Sequence, residues 1–304
     1  VYNRAMKLAL AFAAALALLG CEKKKAAPAT PSAPTATTPP PAGAVPAAPV
    51  PVEASPDGLK LGSQAPKVGE VRTEREEQLT NLKVDAGGKT IEIVGSERKV
   101  ERQEVVAATG DVVDKLKLTF VEFDKQEKIG GKDRPAKGSV AGKTYLVWRE
   151  GKQLKATTEA GAAVPDEEVK EVVGSSRGVG RPQAMESIMA KQVWKVGARY
   201  DLTADDLAKL NDPATHGDDE PTLTSGSMTL QSSAGGNATF AMEMKLLQGA
   251  GGAEMEVLLR GTVVLEIATG RTVSLDSVGT IGGKMGGAPV AGELKVKTTY
   301  QYGG

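Results

Sequence analysis

The chain holds a single cysteine, Cys21, and a single histidine, His216. Cys21 supplies the only thiolate nucleophile. It follows Leu18-Leu19-Gly20. His216 sits in Asp212-Pro213-Ala214-Thr215-His216-Gly217-Asp218-Asp219-Glu220. These oxygens could meet a cation, but the order D-x-[DN]-x-[DN]-G of a calcium loop is absent, and the stretch reads as a solvated acidic loop. With one imidazole and no second thiol, a structural zinc site and Ser-His-Asp or Cys-His catalysis are hard to assemble. Gly174-Ser175-Ser176-Arg177-Gly178-Val179-Gly180-Arg181 has the look of a phosphate loop. It lacks the GxxxxGK[ST] order and lies between two candidate helices, so it reads as a flexible connection. No catalytic residue, metal site or cofactor is expected.

The methionines are the remaining candidates. Met185 and Met189 fall on a predicted helix. Met242 and Met244 fall on a predicted strand with Phe240 and Leu246 on the same alternating face, and Met255 joins Val257 and Leu259 on the next. Methionine is pliable and recurs where varied apolar ligands are accepted. Two readings follow: an ordinary core filled by methionine, or a cavity between a curved sheet and its helices that holds an acyl chain. Met185, Met189, Met242 and Met244 are the candidate ligand-binding residues of the second.

What delivers and positions these groups begins at the N-terminal end. Arg4 and Lys7 precede an unbroken apolar run, Leu8 to Leu19. Its twelve residues make roughly 18 Å of helix, short of a hydrocarbon core of about 30 Å. Residues 1–20 therefore read as a secretory signal, with Val1 or Met6 as its start. Leu18-Leu19-Gly20-Cys21 resembles the lipobox of bacterial lipoproteins. The resemblance implies diacylglycerol on the Cys21 thiol, cleavage before Cys21, acylation of the new amine, and a membrane partner held through that anchor. In that family aspartate after the cysteine favours inner-membrane retention. Glu22 stands here, which implies the outer membrane, with the domain in the periplasm or at the cell surface of the envelope.

Residues 21–66 form the anchor and a linker unlike the rest. Eleven of the 17 prolines lie in it, among Ala, Thr and Ser. Such a composition cannot offset its ordering entropy and is expected to be disordered, with polyproline II character. At about 3.1 Å per residue its reach is at most roughly 140 Å. The 38 Lys+Arg and 38 Asp+Glu become 36 and 38 once Arg4 and Lys7 leave with the signal, a net of −2. A near-neutral chain has no electrostatic footprint for nucleic acid.

Residues 67–304 read as one antiparallel β-rich domain. Thr90–Val94 and Lys115–Phe120 alternate with period two, and Val121-Glu122-Phe123 resumes on the other face, which predicts a bulge. Thr144–Trp148 and Gln153–Thr157 read as a hairpin. Ser227–Ser232, Ala238–Leu247, Glu254–Glu266, Thr272–Gly279 and Glu293–Tyr302 read as strands separated by glycine-rich turns, one of them the loop Gly282–Gly287. The middle breaks the pattern. Pro165-Asp166-Glu167-Glu168 opens a helix with Val169, Val172 and Val173 as its apolar stripe, Pro182 opens a second, and Thr203-Ala204-Asp205-Asp206 caps a third through Leu210 after a strand at Val193–Leu202. The fold class is mainly β (α+β): a curved antiparallel sheet or half-barrel of about ten strands, with two or three short helices in the middle of the chain.

This layout behind a lipobox resembles half-barrel lipoproteins and lipoprotein carriers of bacterial envelopes. Val193-Trp194-Lys195-Val196-Gly197-Ala198-Arg199-Tyr200 is similar to the V.VGD.W signature of uncharacterised lipoproteins, with Ala198 and Tyr200 in place of Asp and Trp. The resemblance implies a non-enzymatic, lipid-anchored envelope protein that binds an apolar ligand or an envelope protein partner. The alternatives are a structural or scaffolding lipoprotein and a carboxylate-based hydrolase. Cys21→Ser is expected to abolish incorporation of labelled palmitate into the chain in growing cells, read by gel fluorography; label retained by the variant would refute the anchor.

Overall fold

The computed structural model describes residues 58–135, 140–211, 221–249 and 253–303. Among them are fourteen strands and three helices. The chain runs β1 (Leu59–Lys60), β2 (Val71–Ala86), β3 (Lys89–Thr109), β4 (Val112–Ile129), β5 (Lys132–Pro135), β6 (Thr144–Glu150) and β7 (Gln153–Thr158). Helices α1 (Asp166–Ser175) and α2 (Ala184–Lys191) follow, then β8 (Val193–Trp194), β9 (Arg199–Asp201) and helix α3 (Ala204–Leu210). Five long strands complete it: β10 (Thr222–Ala234), β11 (Asn237–Gln248), β12 (Ala253–Glu266), β13 (Thr272–Met285) and β14 (Ala288–Gly303). Twelve strands form one antiparallel sheet in the order β7-β6-β4-β3-β2-β14-β13-β12-β11-β10-β9, with β5 beside β4, and the sheet is not closed into a barrel. This is the curved half-barrel expected, with two more strands than counted from the sequence.

Strict alternation builds the sheet. In β11 every second residue from Ala238 to Gln248 is buried, and in β2 every second residue from Glu74 to Val84. Residues directly opposite on paired strands share a face, so the register lays out the inner face in rows. One row reads Lys125, Glu97, Gln78, Val296, Ser277, Gly261, Met242, Met228 across eight strands. The outer face is ionic: Arg260 Nε lies 2.7 Å from Glu243 and Lys245 Nζ 2.8 Å from Glu256. A membrane-spanning barrel carries its apolar band on that face. Here the alternation has the opposite sense.

The bulge predicted near Phe120 is present. Val100 pairs with Glu122 and Glu101 with Phe120, which leaves Val121 as the extra residue, turned to solvent. It returns Phe123 and Lys125 to the inner side. Other expectations are corrected. Gly282 and Gly283 belong to β13 rather than to a loop, because both lie in ladders with β12 and β14, and the turn is only Gly286-Gly287, at φ of 56° and 82°. The strand foreseen at Val193–Leu202 is split into β8 and β9 by a turn at Gly197, where φ is 79°. β8 leaves the main sheet and pairs with β1, which precedes residue 67, and Leu61 beside it is 5% exposed in the core. In α1 the buried residues are Glu168, Val172, Gly174 and Ser175, while Val169 is exposed. The polar Glu168 turns inward to partners on the sheet, so the buried face is rotated from the expected valine stripe.

Three short helices cannot cover twelve strands, so the sheet curls over its own inner face. Glycine permits the closest approaches. A Cβ on Gly261 would lie 2.1 Å from the Asp276 carbonyl oxygen, and one on Gly292 would lie 2.2 Å from that of Asn81. Both obstacles are main chain of the adjoining strand and cannot rotate away. Gly261→Ala is expected to destabilise the fold by about 1–3 kcal/mol, read as a lower urea midpoint. Gly282→Ala, with nothing within 4 Å of its Cβ, should leave the midpoint near that of the parent.

Candidate functional site, a charged strip beside a methionine-rich field

The inner face carries two apolar clusters. The larger spans β10–β14 and the far ends of β2, β3 and β4, with α2 and Trp194 packed on it. It contains Met189, Met228, Met242, Met244, Met255 and Met285, and Met185 packs against it half-buried. Every methionine after Met6 therefore belongs to one cluster. The four methionines singled out in the sequence are brought together there, with Met228 and Met285 added. Trp194 ties the helical cover to the sheet. Its ring meets Phe240 edge-on at 4.8 Å and Tyr200 at 5.9 Å, and its Nε1 donates to the Met189 carbonyl at 3.0 Å. α3 is set by a capping box in which Thr203 and Asp206 bond reciprocally, as its sequence predicted. The smaller cluster joins Leu116, Leu118 and Phe120 of β4 to Tyr145 and Val147 of β6 under Val172 of α1.

Between the two clusters the inner face is charged. Inward positions of β2 are Glu74, Glu76, Gln78 and Thr80, and those of β3 are Glu97, Lys99, Glu101 and Gln103, all buried. Lys99 Nζ lies 3.2 Å from Glu76, 3.3 Å from Glu101 and 3.9 Å from Glu97. Gln103 Nε2 donates to Glu101 at 3.2 Å, and Gln103 Oε1 accepts from Arg72 at 2.6 Å. Lys125, on β4, reaches Glu97 at 3.6 Å and Glu171 of α1 at 2.8 Å. Burial lowers the affinity of Lys125 for its proton, but Glu171 and Glu97 outweigh this and its pKa is raised.

α1 and the segment after it are fastened over this strip. The Ser175 hydroxyl donates to Glu101. Arg149, on β6, donates from Nε to the Val179 carbonyl at 2.8 Å and from Nη2 to that of Arg177 at 3.1 Å. The segment read as a flexible connection is thus pinned to the sheet at both ends. Glu168 accepts from Lys143 and from the Tyr145 hydroxyl, each at 2.5 Å. Burial pushes the Glu168 carboxyl up, yet these two hydrogen bonds prevail and its pKa is lowered; burial and the same carboxylate push the Tyr145 phenol well up.

The sequence reading missed the strip. Its signal was present in Glu74-Arg75-Glu76-Glu77-Gln78 and Glu97-Arg98-Lys99, where both faces of an alternating strand are polar. A strand of a half-buried sheet should be apolar on one of them. Cys21 and His216 lie outside the described residues. Chemically, the strip offers fixed carboxylates, amides and an ammonium beside a large apolar field, an arrangement that suits an amphiphile.

A carboxylate with a lowered pKa stabilises the fold above the ordinary carboxylate range and loses that contribution as pH falls through its folded value. Glu168→Gln should cost about 1–3 kcal/mol near neutral pH. The gap to the parent should narrow as pH falls below the ordinary carboxylate range and through the folded value of Glu168, as followed by urea unfolding across that range.

No family model matches the chain, and no curated protein matches it. Solved structures give low similarity. A lipovitellin structure described for its lipid–protein interactions shares 8% identity at a TM-score of 0.42, covering 77% of this chain, which spans a quarter (25%) of that one. The translocator domain of the autotransporter NalP from Neisseria meningitidis shares 8% identity at a TM-score of 0.21, over 77% of this chain and 89% of that one. Ail, the attachment invasion locus protein of Yersinia pestis, shares 8% identity at a TM-score of 0.16, over 77% and 99%. These scores are too low to carry function across.

Proposed function

We propose that this chain is an exported, non-enzymatic envelope lipoprotein, anchored through Cys21 to the outer membrane, whose half-barrel receives an apolar acyl ligand against its methionine-rich inner field. The observation that carries the reading is the gathering of seven methionines in or against one cluster, with none in the smaller cluster of the described residues. A core that needs only filling draws on Leu, Ile and Val with fixed rotamers. Thioether chains repack cheaply around guests of differing shape. The ionic outer face supports a domain bathed in water, with the lipid contact made by the anchor and the cargo held within. Short helices and the Trp194 contact form a cover smaller than the sheet, which suits entry by local displacement.

The test keeps the domain in its own chain. A specific protease site is inserted in the proline-rich linker ahead of residue 58, the anchored protein is collected with membranes, and the domain is released without detergent for native mass spectrometry. About one acyl-bearing molecule per domain is expected. A domain released empty and fully folded would overturn the ligand reading and leave a protein partner or a structural role.

A further inference from the structure

Among the described residues, the buried side-chain atoms of the inner face with no hydrogen-bond partner include three that lie close together, Gln78 Nε2, Thr80 Oγ1 and Ser277 Oγ, besides Gln248 Oε1 on β11. Each of the three residues is 2% exposed. Gln78 and Thr80 are successive inward positions of β2, and Ser277 shares a row with Gln78 across Val296 of β14. With strands about 4.8 Å apart, β2 and β13 are separated by roughly 10 Å there. Along the rows Val296, Leu294, Gly95, Gly279 and Gly261 offer no polar side-chain atom, and Glu97, beside Gln78 on β3, faces Lys99 at 3.9 Å and Lys125 at 3.6 Å. Buried donors of native proteins are almost always satisfied by protein, water or ligand. Three such atoms on one patch mark a place where a polar group is received.

Their chemistry narrows the guest. An amide Nε2 only donates, and both hydroxyls can donate, so the patch suits acceptor oxygens held away from water. Its position narrows it further. Glu97 and Lys125 continue the row on one side, and Gly261, Met242 and Met228 continue it on the other. From Ser277 to Met228 is three strand spacings, about 14 Å, all apolar.

We propose that Gln78, Thr80 and Ser277 bind the ester or amide carbonyl of an acylated molecule, with its chain directed towards Met242 and Met228. This rests on the acyl-ligand reading above and adds the polar end and the direction of the guest. The test uses the full chain in cells fed a palmitate analogue carrying a chain diazirine, followed by irradiation and peptide mapping. The parent chain should carry acyl adducts on β10 and β11. In Gln78→Leu, and in the nearly isosteric Thr80→Val with Ser277→Ala, the adduct per folded chain should fall about five-fold or more, the loss of roughly 1 kcal/mol or more of binding. Thr80→Val alone serves if the others fail to accumulate, with a smaller fall in the same direction. Mild alkali applied to the adduct frees an ester-linked head and leaves an amide-linked one, which separates a glycerolipid from an N-acylated source. An undiminished adduct in every variant would show that water alone serves these atoms and would overturn this proposal. Absence of adducts on β10–β12 of the parent would instead overturn the acyl-ligand reading itself.

Discussion

A single antiparallel sheet of twelve strands must bury one face, and helices of ten, eight and seven residues are too small to cover it. The sheet meets that constraint by curling. Curling brings main chain of neighbouring strands against inward Cα positions, which is tolerated at Gly261 and Gly292 because no Cβ stands there. The bulge at Val121 turns the far part of β4, so that Phe120 and Lys125 look into the same interior. Trp194 then closes the apolar side and α1 the other. Each later feature is a response to an inner face larger than its cover.

The charged strip is what this interior sacrifices in stability. A buried ion group returns little net free energy, because the desolvation of each charge offsets the attraction between them. Its effect is on alternatives. A slip of β2 by one residue against β3 would carry Arg75, Glu77 and Leu79 inward and take Glu76 away from Lys99. The long β2–β3 hairpin lacks an apolar code over half its length, and the ion group supplies the register that hydrophobic residues supply elsewhere. The strip also divides the interior into two apolar clusters that could not otherwise be kept apart on one continuous sheet.

Much of the architecture was legible from period and turn chemistry. β11 and β12 were readable almost to their ends because Val, Leu and Met alternate with Lys and Glu, and α3 because Thr203 and Asp206 make a complete cap. β13 was cut short because Gly282-Gly283 has the composition of a turn, although the pair is held between two ladders. β1 was invisible since two residues carry no period, and its partner β8 looked like the start of a longer strand. The candidate site was half legible. The methionines could be placed on faces by counting, but the strip could not, because polar residues at inward positions of β2 and β3 imitate an exposed strand until the register across β14 and β4 is known.

The pairing of β1 with β8 has a mechanical meaning. The main chain of β1 is held to that of Val193 and Trp194 by a ladder of only two residue pairs, and just beyond it Gly62 donates to the Ile267 carbonyl at 2.7 Å. A pull on the chain ahead of Leu59 is borne first by this short ladder, next to the tryptophan that plugs the methionine field, before it reaches any strand of the main sheet. With two residue pairs this ladder is shorter than any in the main sheet, and it stands in series between the chain ahead of Leu59 and the cover over the apolar interior.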